Sequence, residues 1–110
     1  MTHEFRLHNL PFDLIKSWKK KIEVRLFDEK RQKIKLWDEI IFISRENWEE
    51  IKTKVFWLFQ SNSFENIYKN LDESFLLWYK IDEIIEHLYK YYSKEDEEEF
   101  WVLGIFIEKI

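Results

Sequence analysis

The chain has 110 residues and a formal net charge of −4, with 45% hydrophobic and 36% charged residues. This composition is typical of one globular domain over 1–110, and 19% aromatic residues exclude a disordered chain. With no Cys, three scattered His and no long apolar run, we expect a cytoplasmic protein without a metal, a cofactor or a membrane segment.

Hydropathy patterning predicts a first half made mainly of strands. The clearest is the strand at 21–27, in which apolar and charged residues alternate as in a half-buried strand. The elements predicted for this half are, in chain order, a strand at 3–8, a short helix with Pro11 in its first turn, the strand at 21–27, a polar connection at 28–33, a strand at 39–44, a turn at 45–48 and a strand at 50–60.

The second half predicts three helices and a closing strand. Ser63 is placed to cap a helix that runs to about Leu71, and residues 81–92 repeat apolar positions with helical periodicity. Ser93 is placed to cap a short acidic helix. The run at 100–107 is almost continuously apolar, which indicates a central strand covered on both faces. The order predicts a mainly β, α+β fold: a small mixed barrel with about four short peripheral helices.

One segment reverses the charge of the chain. Residues 16–35 contain nine Lys or Arg and three acids, a local charge of +6, while the other ninety residues sum to −10. A basic segment on an acidic protein is typical of binding to an anionic partner. The alternative at this point is a solvated lysine-rich surface.

Tryptophan and glycine occur in abnormal numbers. The chain has six Trp and one Gly, where about eight Gly are typical of this length. Five of the Trp stand where a turn favours glycine, after a helix or between two strand or helix patterns. These five positions are Trp18, Trp37, Trp48, Trp78 and Trp101. Trp57 is less telling, because Trp suits a strand.

We interpret these Trp as positions at which the source organism has glycine. A UGA codon that the organism reads as glycine, translated by another code, produces this pattern. The absence of Ala and the fourteen Lys and fourteen Ile fit an AT-rich gene. The alternative is a genuinely Trp-rich protein, in which case bulky residues occupy tight turns and strain the backbone.

The segment at the start of the strand at 21–27 resembles the signature of the ASCH domain, a branch of the PUA-like barrel superfamily. That signature is Gly-x-Lys-x-x-Glu-x-Arg, and this chain has Trp18-x-Lys20-x-x-Glu23-x-Arg25. The departure is Trp18, one of the suspected glycines. Further matching features span nearly the whole chain: Pro11-Phe12, Asp28-x-Lys30-Arg31, Trp37-Asp38, Ser63-Phe64, Tyr91-Tyr92-Ser93 and Trp101-Val102-Leu103-Gly104-Ile105.

The resemblance implies a PUA-like barrel with a cleft lined by the signature residues, and a link to RNA. One branch of the family hydrolyses N4-acetylcytidine with a catalytic Lys, which corresponds to Lys20 here. That branch has Thr at the position of Glu23.

The residues themselves support a shared site. Glu23 and Arg25 are two apart on a strand, so they share a face opposite Ile22 and Val24. Lys20 is three residues from Glu23, so a shared site requires Lys20 to lie in the turn before the strand. A glycine at position 18 permits that turn more readily than Trp. The alternative is a solvated strand edge with an incidental ion pair.

We therefore expect an ASCH domain that binds RNA or a nucleotide-like ligand in a basic cleft. Two alternatives stay open: an amidohydrolase of a modified nucleoside such as N4-acetylcytidine, and a non-catalytic protein-interaction domain. The expected catalytic residues are Lys20 and Glu23. The expected ligand-binding residues are Arg25, Lys21, Lys30, Arg31 and Ser63, although Lys30 and Arg31 also suit a solvated loop and Ser63 a helix cap.

Overall fold

The computed structural model describes residues 1–77 and 79–110. The elements are β1 (Thr2–Leu7), α1 (Asn9–Lys16), β2 (Ile22–Leu26), β3 (Glu39–Ser44), β4 (Glu50–Ser61), α2 (Phe64–Lys69), α3 (Ile81–Leu88), α4 (Lys94–Phe100) and β5 (Val102–Lys109), with 3₁₀ turns at Arg31–Lys33 and Glu73–Phe75. The predicted order of strands and helices is confirmed. Of the helices in these two ranges, none has the length and apolar character needed to cross a membrane.

The helix predicted over 81–92 is shorter than its pattern indicates. It ends at Leu88, and beyond it the N–H groups of Lys90 and Tyr91 donate to the carbonyls three residues earlier, His87 at 3.2 Å and Leu88 at 3.0 Å, which is the pattern of a tighter turn. The predicted caps are confirmed: the hydroxyls of Ser63 and Ser93 each accept a hydrogen bond at 3.1 Å from the backbone N–H three residues on.

The five strands form one mixed sheet in the order β1-β3-β4-β5-β2. β1 pairs with β3 in parallel, and the other neighbours are antiparallel. The sheet curls into a half barrel, so its two edge strands, β1 and β2, approach each other. The expected mainly β, α+β fold with about four short helices is confirmed. β5 lies inside the sheet between β4 and β2, as its apolar run predicts.

Each face of the sheet packs a core. On one face Phe5, Phe42 and Ile105 belong to the larger buried cluster. On the other face Val24 and Val102 pack with the apolar side of α2. Alternation along β2 therefore places Val24 on the α2 side and its neighbours Glu23 and Arg25 on the opposite side, which confirms the predicted shared face.

Four Trp residues adopt the left-handed backbone conformation that favours glycine. The φ angles are 62° at Trp18, 71° at Trp37, 63° at Trp48 and 65° at Trp101. Trp57 lies in β4 and is not among the residues of positive φ. Trp78 lies outside the described residues. The prediction that bulky residues occupy glycine-type turns is confirmed at these four positions.

Two of these positions show clearly why glycine suits them. Trp18 follows α1 in a Schellman motif: its N–H donates to the Ile15 carbonyl, and the N–H of Lys19 donates to the Leu14 carbonyl, both at 2.9 Å. Trp101 joins α4 to β5 with φ 65° and ψ −170°, a region that only glycine adopts readily. The single glycine, Gly104, lies in β5 and does not have a positive φ.

Candidate functional site

The turn after α1 places Lys20 beside the start of β2. The Schellman bonds end α1, and the backbone N–H of Lys20 also donates to the Leu14 carbonyl at 3.0 Å. β2 begins at Ile22, so Lys20 lies in the connection rather than on the strand. On a regular strand, Lys20 and Glu23 would point to opposite faces because they are three residues apart. Since Lys20 lies outside the strand, its side chain can reach Glu23, as predicted for a shared site.

Glu23 lies between two cations. Lys20 Nζ donates a hydrogen bond to Glu23 Oε1 at 3.3 Å, and Arg25 Nη2 is 3.7 Å from Glu23 Oε2. The Glu23 side chain is only 6% exposed, whereas Lys20 and Arg25 are 23% and 19% exposed. Glu23 is therefore buried beneath two cations whose side chains are each partly exposed.

The electrostatics keep Glu23 ionised. Burial is the largest single influence and raises the pKa of this carboxyl, but the charges of Lys20 and Arg25 and the hydrogen bonds that the carboxylate accepts together outweigh burial, and the pKa is lowered. The negative charge of Glu23 also affects Tyr68 of α2. The pKa of the Tyr68 phenol is raised mainly by burial and to a smaller extent by the Glu23 carboxylate. Glu23 is thus a fixed negative charge that orients its neighbours.

The approach of β1 to β2 adds a second group of cations. Arg25 of β2 lies over the ring of Phe5 of β1, with 5.0 Å from its Cζ to the ring centroid. Arg31 Cζ and Lys30 Nζ lie 5.2 Å and 5.7 Å from the same centroid. We call the group around this ring the basic edge site, and it comprises Phe5, Lys20, Glu23, Arg25, Asp28, Lys30 and Arg31.

Asp28 fixes the 3₁₀ turn that carries Arg31. One carboxylate oxygen of Asp28 accepts the backbone N–H of Arg31 at 3.1 Å, and the other accepts Arg31 Nη1 at 2.9 Å. Lys30 Nζ donates to the carbonyl of Glu4 on β1 at 3.3 Å. The loop after β2 is thereby tied back to the other edge strand, and Lys30 and Arg31 are not simply a solvated loop.

Two buried side-chain atoms lack a hydrogen-bond partner among the described residues, and both belong to the basic edge site. They are Glu23 Oε2, an acceptor, and Arg31 Nε, a donor. Buried polar atoms are normally paired, and exceptions are enriched at functional positions. This coincidence distinguishes the basic edge site from an ordinary surface ion-pair network.

Two of the expected ligand-binding residues lie apart from this site. Lys21 is exposed and lines a separate open cavity beside Trp18 and Phe75. Ser63 uses its hydroxyl as the N-cap of α2, the alternative that its position already allowed. The structure therefore brings together Lys20, Glu23, Arg25, Lys30 and Arg31 of the expected residues.

Sequence reasoning missed Phe5. Phe5 is one of the alternating apolar residues of a strand, and no local signal indicates that this strand lies close to β2. The sequence feature that pointed toward this part of the site is Asp28-x-Lys30-Arg31. It indicates the two cations of the loop, but it does not indicate the Phe5 ring that they contact.

Comparison with solved structures shows full-length relatives. The crystal structure of the hypothetical protein PH0355 is 38% identical, with a TM-score of 0.86 and complete coverage of both chains. Protein PF0455 from Pyrococcus furiosus is 34% identical, with a TM-score of 0.75, over 100% of this chain and 98% of that one. The chain belongs to the same protein family as these two. No protein-family model and no curated protein matches it.

Proposed function

We propose that this protein is an ASCH-type domain that binds RNA or a nucleotide-like ligand at the basic edge site. The observation that carries the proposal is the convergence of Lys20, Arg25, Lys30 and Arg31 where the two edge strands of the half barrel, β1 and β2, approach each other. Partly exposed Arg and Lys side chains are the groups that bind phosphate and base edges. The local charge of +6 on residues 16–35 also supports binding of an anionic ligand.

In this proposal Glu23 is a positioning residue. Its carboxylate is buried, so the ligand meets Lys20 and Arg25 rather than Glu23 itself. Because a guanidinium fixed by a carboxylate loses little side-chain freedom on binding, the ion pair preorganises Arg25 for an oxygen-bearing ligand.

The test is fluorescence anisotropy of the 110-residue chain with a short labelled single-stranded RNA at 50 and 200 mM salt. We expect affinity to fall with salt, because binding releases counterions from the RNA. Arg25→Gln and Lys20→Gln should each weaken binding by roughly tenfold. Lys69→Gln is the matched control, because Lys69 is an exposed cation on α2, 58% accessible, and is paired with Glu65. Equal loss in all three variants refutes a local site.

A second candidate function is favoured by the Lys20–Glu23 pair alone. Lys20 is partly exposed and donates to the buried Glu23 carboxylate at 3.3 Å, so Glu23 fixes the position of Lys20 for proton transfer to a modified nucleoside such as N4-acetylcytidine during its hydrolysis. The test is acetate release from that nucleoside, with Lys20→Ala as the control. Turnover that disappears in Lys20→Ala supports an amidohydrolase, and no turnover by the folded protein rejects it.

A further inference from the structure

Three cations of the basic edge site share one aromatic ring. Arg25 Cζ, Arg31 Cζ and Lys30 Nζ lie 5.0, 5.2 and 5.7 Å from the Phe5 ring centroid, so no two of these atoms are more than about 11 Å apart, roughly one Debye length at 0.1 M salt. The ring is 2% exposed and packed edge-on against Phe42, so no base can stack on it. Phe5 therefore serves as a support for cations. Cations this close repel one another unless negative charge lies among them.

The carboxylates of the basic edge site neutralise only half of its positive charge. The four cations Lys20, Arg25, Lys30 and Arg31 face two carboxylates. Glu23 is engaged by Lys20 and Arg25, and Asp28 by Arg31. Over residues 1–77 and 79–110, no other carboxylate forms an ion pair with these cations. The site therefore carries a net charge of +2 and, at Arg31 Nε, a buried donor without a partner in those ranges.

We propose that the basic edge site takes a phosphate monoester: the terminal phosphate of an RNA strand or of a free nucleotide. This inference rests on the proposed function and narrows it. A phosphate monoester carries a charge of about −1.5 to −2 at pH 7 and offers three acceptor oxygens, which matches a site of charge +2 with unpaired donor capacity. An internal phosphodiester carries a single negative charge and leaves half of the site uncompensated. Arg25 and Arg31 bind its oxygens, and Lys30 closes the site from the β1 side.

The experiment compares three RNA oligonucleotides of one sequence that carry a 5′-phosphate, a 3′-phosphate or no terminal phosphate. Anisotropy with the full chain should show that at least one phosphorylated form binds about tenfold more tightly than the unphosphorylated form. Competition by adenosine 5′-monophosphate, with adenosine as its matched control, separates the two sources of the ligand. Competition by the monophosphate alone assigns the site to free nucleotides as well as strand ends, and no competition restricts it to strand ends.

Variants test whether the named cations cause the preference. Lys30→Gln and Arg31→Gln should each reduce the preference for the phosphorylated strand to less than about threefold. Lys33→Gln is the matched control, because Lys33 is an exposed cation of the same 3₁₀ turn and is not on the Phe5 ring. Lys30 is itself exposed, so Lys30→Gln decides the question even if Arg31→Gln fails to fold.

The outcomes separate the two proposals. Equal, salt-dependent binding of all three RNAs overturns the phosphate monoester inference and leaves RNA binding in place. A preference that persists in Lys30→Gln overturns the assignment to this site. Failure to bind any of the three RNAs or the monophosphate overturns the proposed function, and the further inference with it.

Discussion

Replacement of the turn tryptophans by glycine should stabilise this protein, and Trp101→Gly should have the largest effect. Trp101 has φ 65° and ψ −170°, a conformation that is essentially restricted to glycine and costs other residues about 1–3 kcal/mol. The residue is 47% exposed and belongs to neither core cluster, so its removal leaves both cores intact. Glycine also gives the unfolded chain more freedom, which costs about 0.4–1 kcal/mol. The expected net gain at this position is about 1–2 kcal/mol.

The other turns should gain less. A left-handed conformation costs a residue with a side chain about 1–2 kcal/mol, which leaves a net gain of about 0.5–1 kcal/mol at Trp37 and Trp48 after the unfolded-state term. Both residues are 62% exposed, and the loss of the Arg6 guanidinium contact, 5.1 Å from the Trp48 ring centroid, places Trp48 at the lower end of this range. Trp18 packs partly against the larger core and lies under Lys109, so its substitution should be close to neutral. The four changes together should add about 2–4 kcal/mol, and the melting temperature should rise by roughly 10–20 °C.

The measurement is urea and thermal unfolding of each variant, followed by circular dichroism. Trp57→Gly is the matched control, because Trp57 is equally bulky and exposed but lies in β4 without a positive φ. It should lose stability, since glycine weakens the interior of a strand. If Trp101→Gly destabilises the protein as much as Trp57→Gly does, the backbone argument is refuted. The gene gives a separate check: codons other than UGA at 18, 37 and 48 contradict the reassignment.

Three further substitutions test the fold. Burial raises the pKa of Asp38, but its hydrogen bond with His3 and those with nearby N–H donors outweigh burial, so the pKa is lowered. The ionised Asp38 therefore stabilises the folded state above about pH 4, and this stabilisation is lost as the pH falls through the folded-state pKa. Asp38→Asn should flatten that acid loss in urea titrations at pH 7 and pH 3. Burial and a hydrogen bond to Glu97 raise the pKa of Tyr89 to about 12, so this bond stabilises the fold below about pH 10 and is lost as the pH approaches 12. Tyr89→Phe should cost about 1 kcal/mol at pH 7 and remove that alkaline loss, and an unchanged midpoint contradicts this. Gly104→Ala should change stability by less than about 1 kcal/mol, because the added Cβ has ordinary contacts of 3.4 and 3.5 Å, and a larger loss means that the strand needs glycine.

The sequence by itself determined the order of elements, the helix caps and the local part of the site. These features depend on neighbours within a few residues: alternation along β2, a Ser hydroxyl three residues before an N–H, and a turn that ends α1 and leaves Lys20 beside Glu23. The same local logic marked Trp18 and Trp101 as glycine positions, since a turn imposes its φ angle whatever residue occupies it.

Only the tertiary structure decided which distant residues join that local site. Phe5 and Arg25 are twenty positions apart and belong to strands at opposite edges of the sheet, and no pattern in either strand specifies how far the sheet curls. The curl follows from the pairing of all five strands and the packing of both faces, which are long-range properties. That closure places Phe5 beneath Arg25, Lys30 and Arg31. Ser63 lies elsewhere because it caps α2, and Lys21 lies elsewhere because it precedes β2 in the connection after α1, where it lines the cavity beside Trp18 and Phe75.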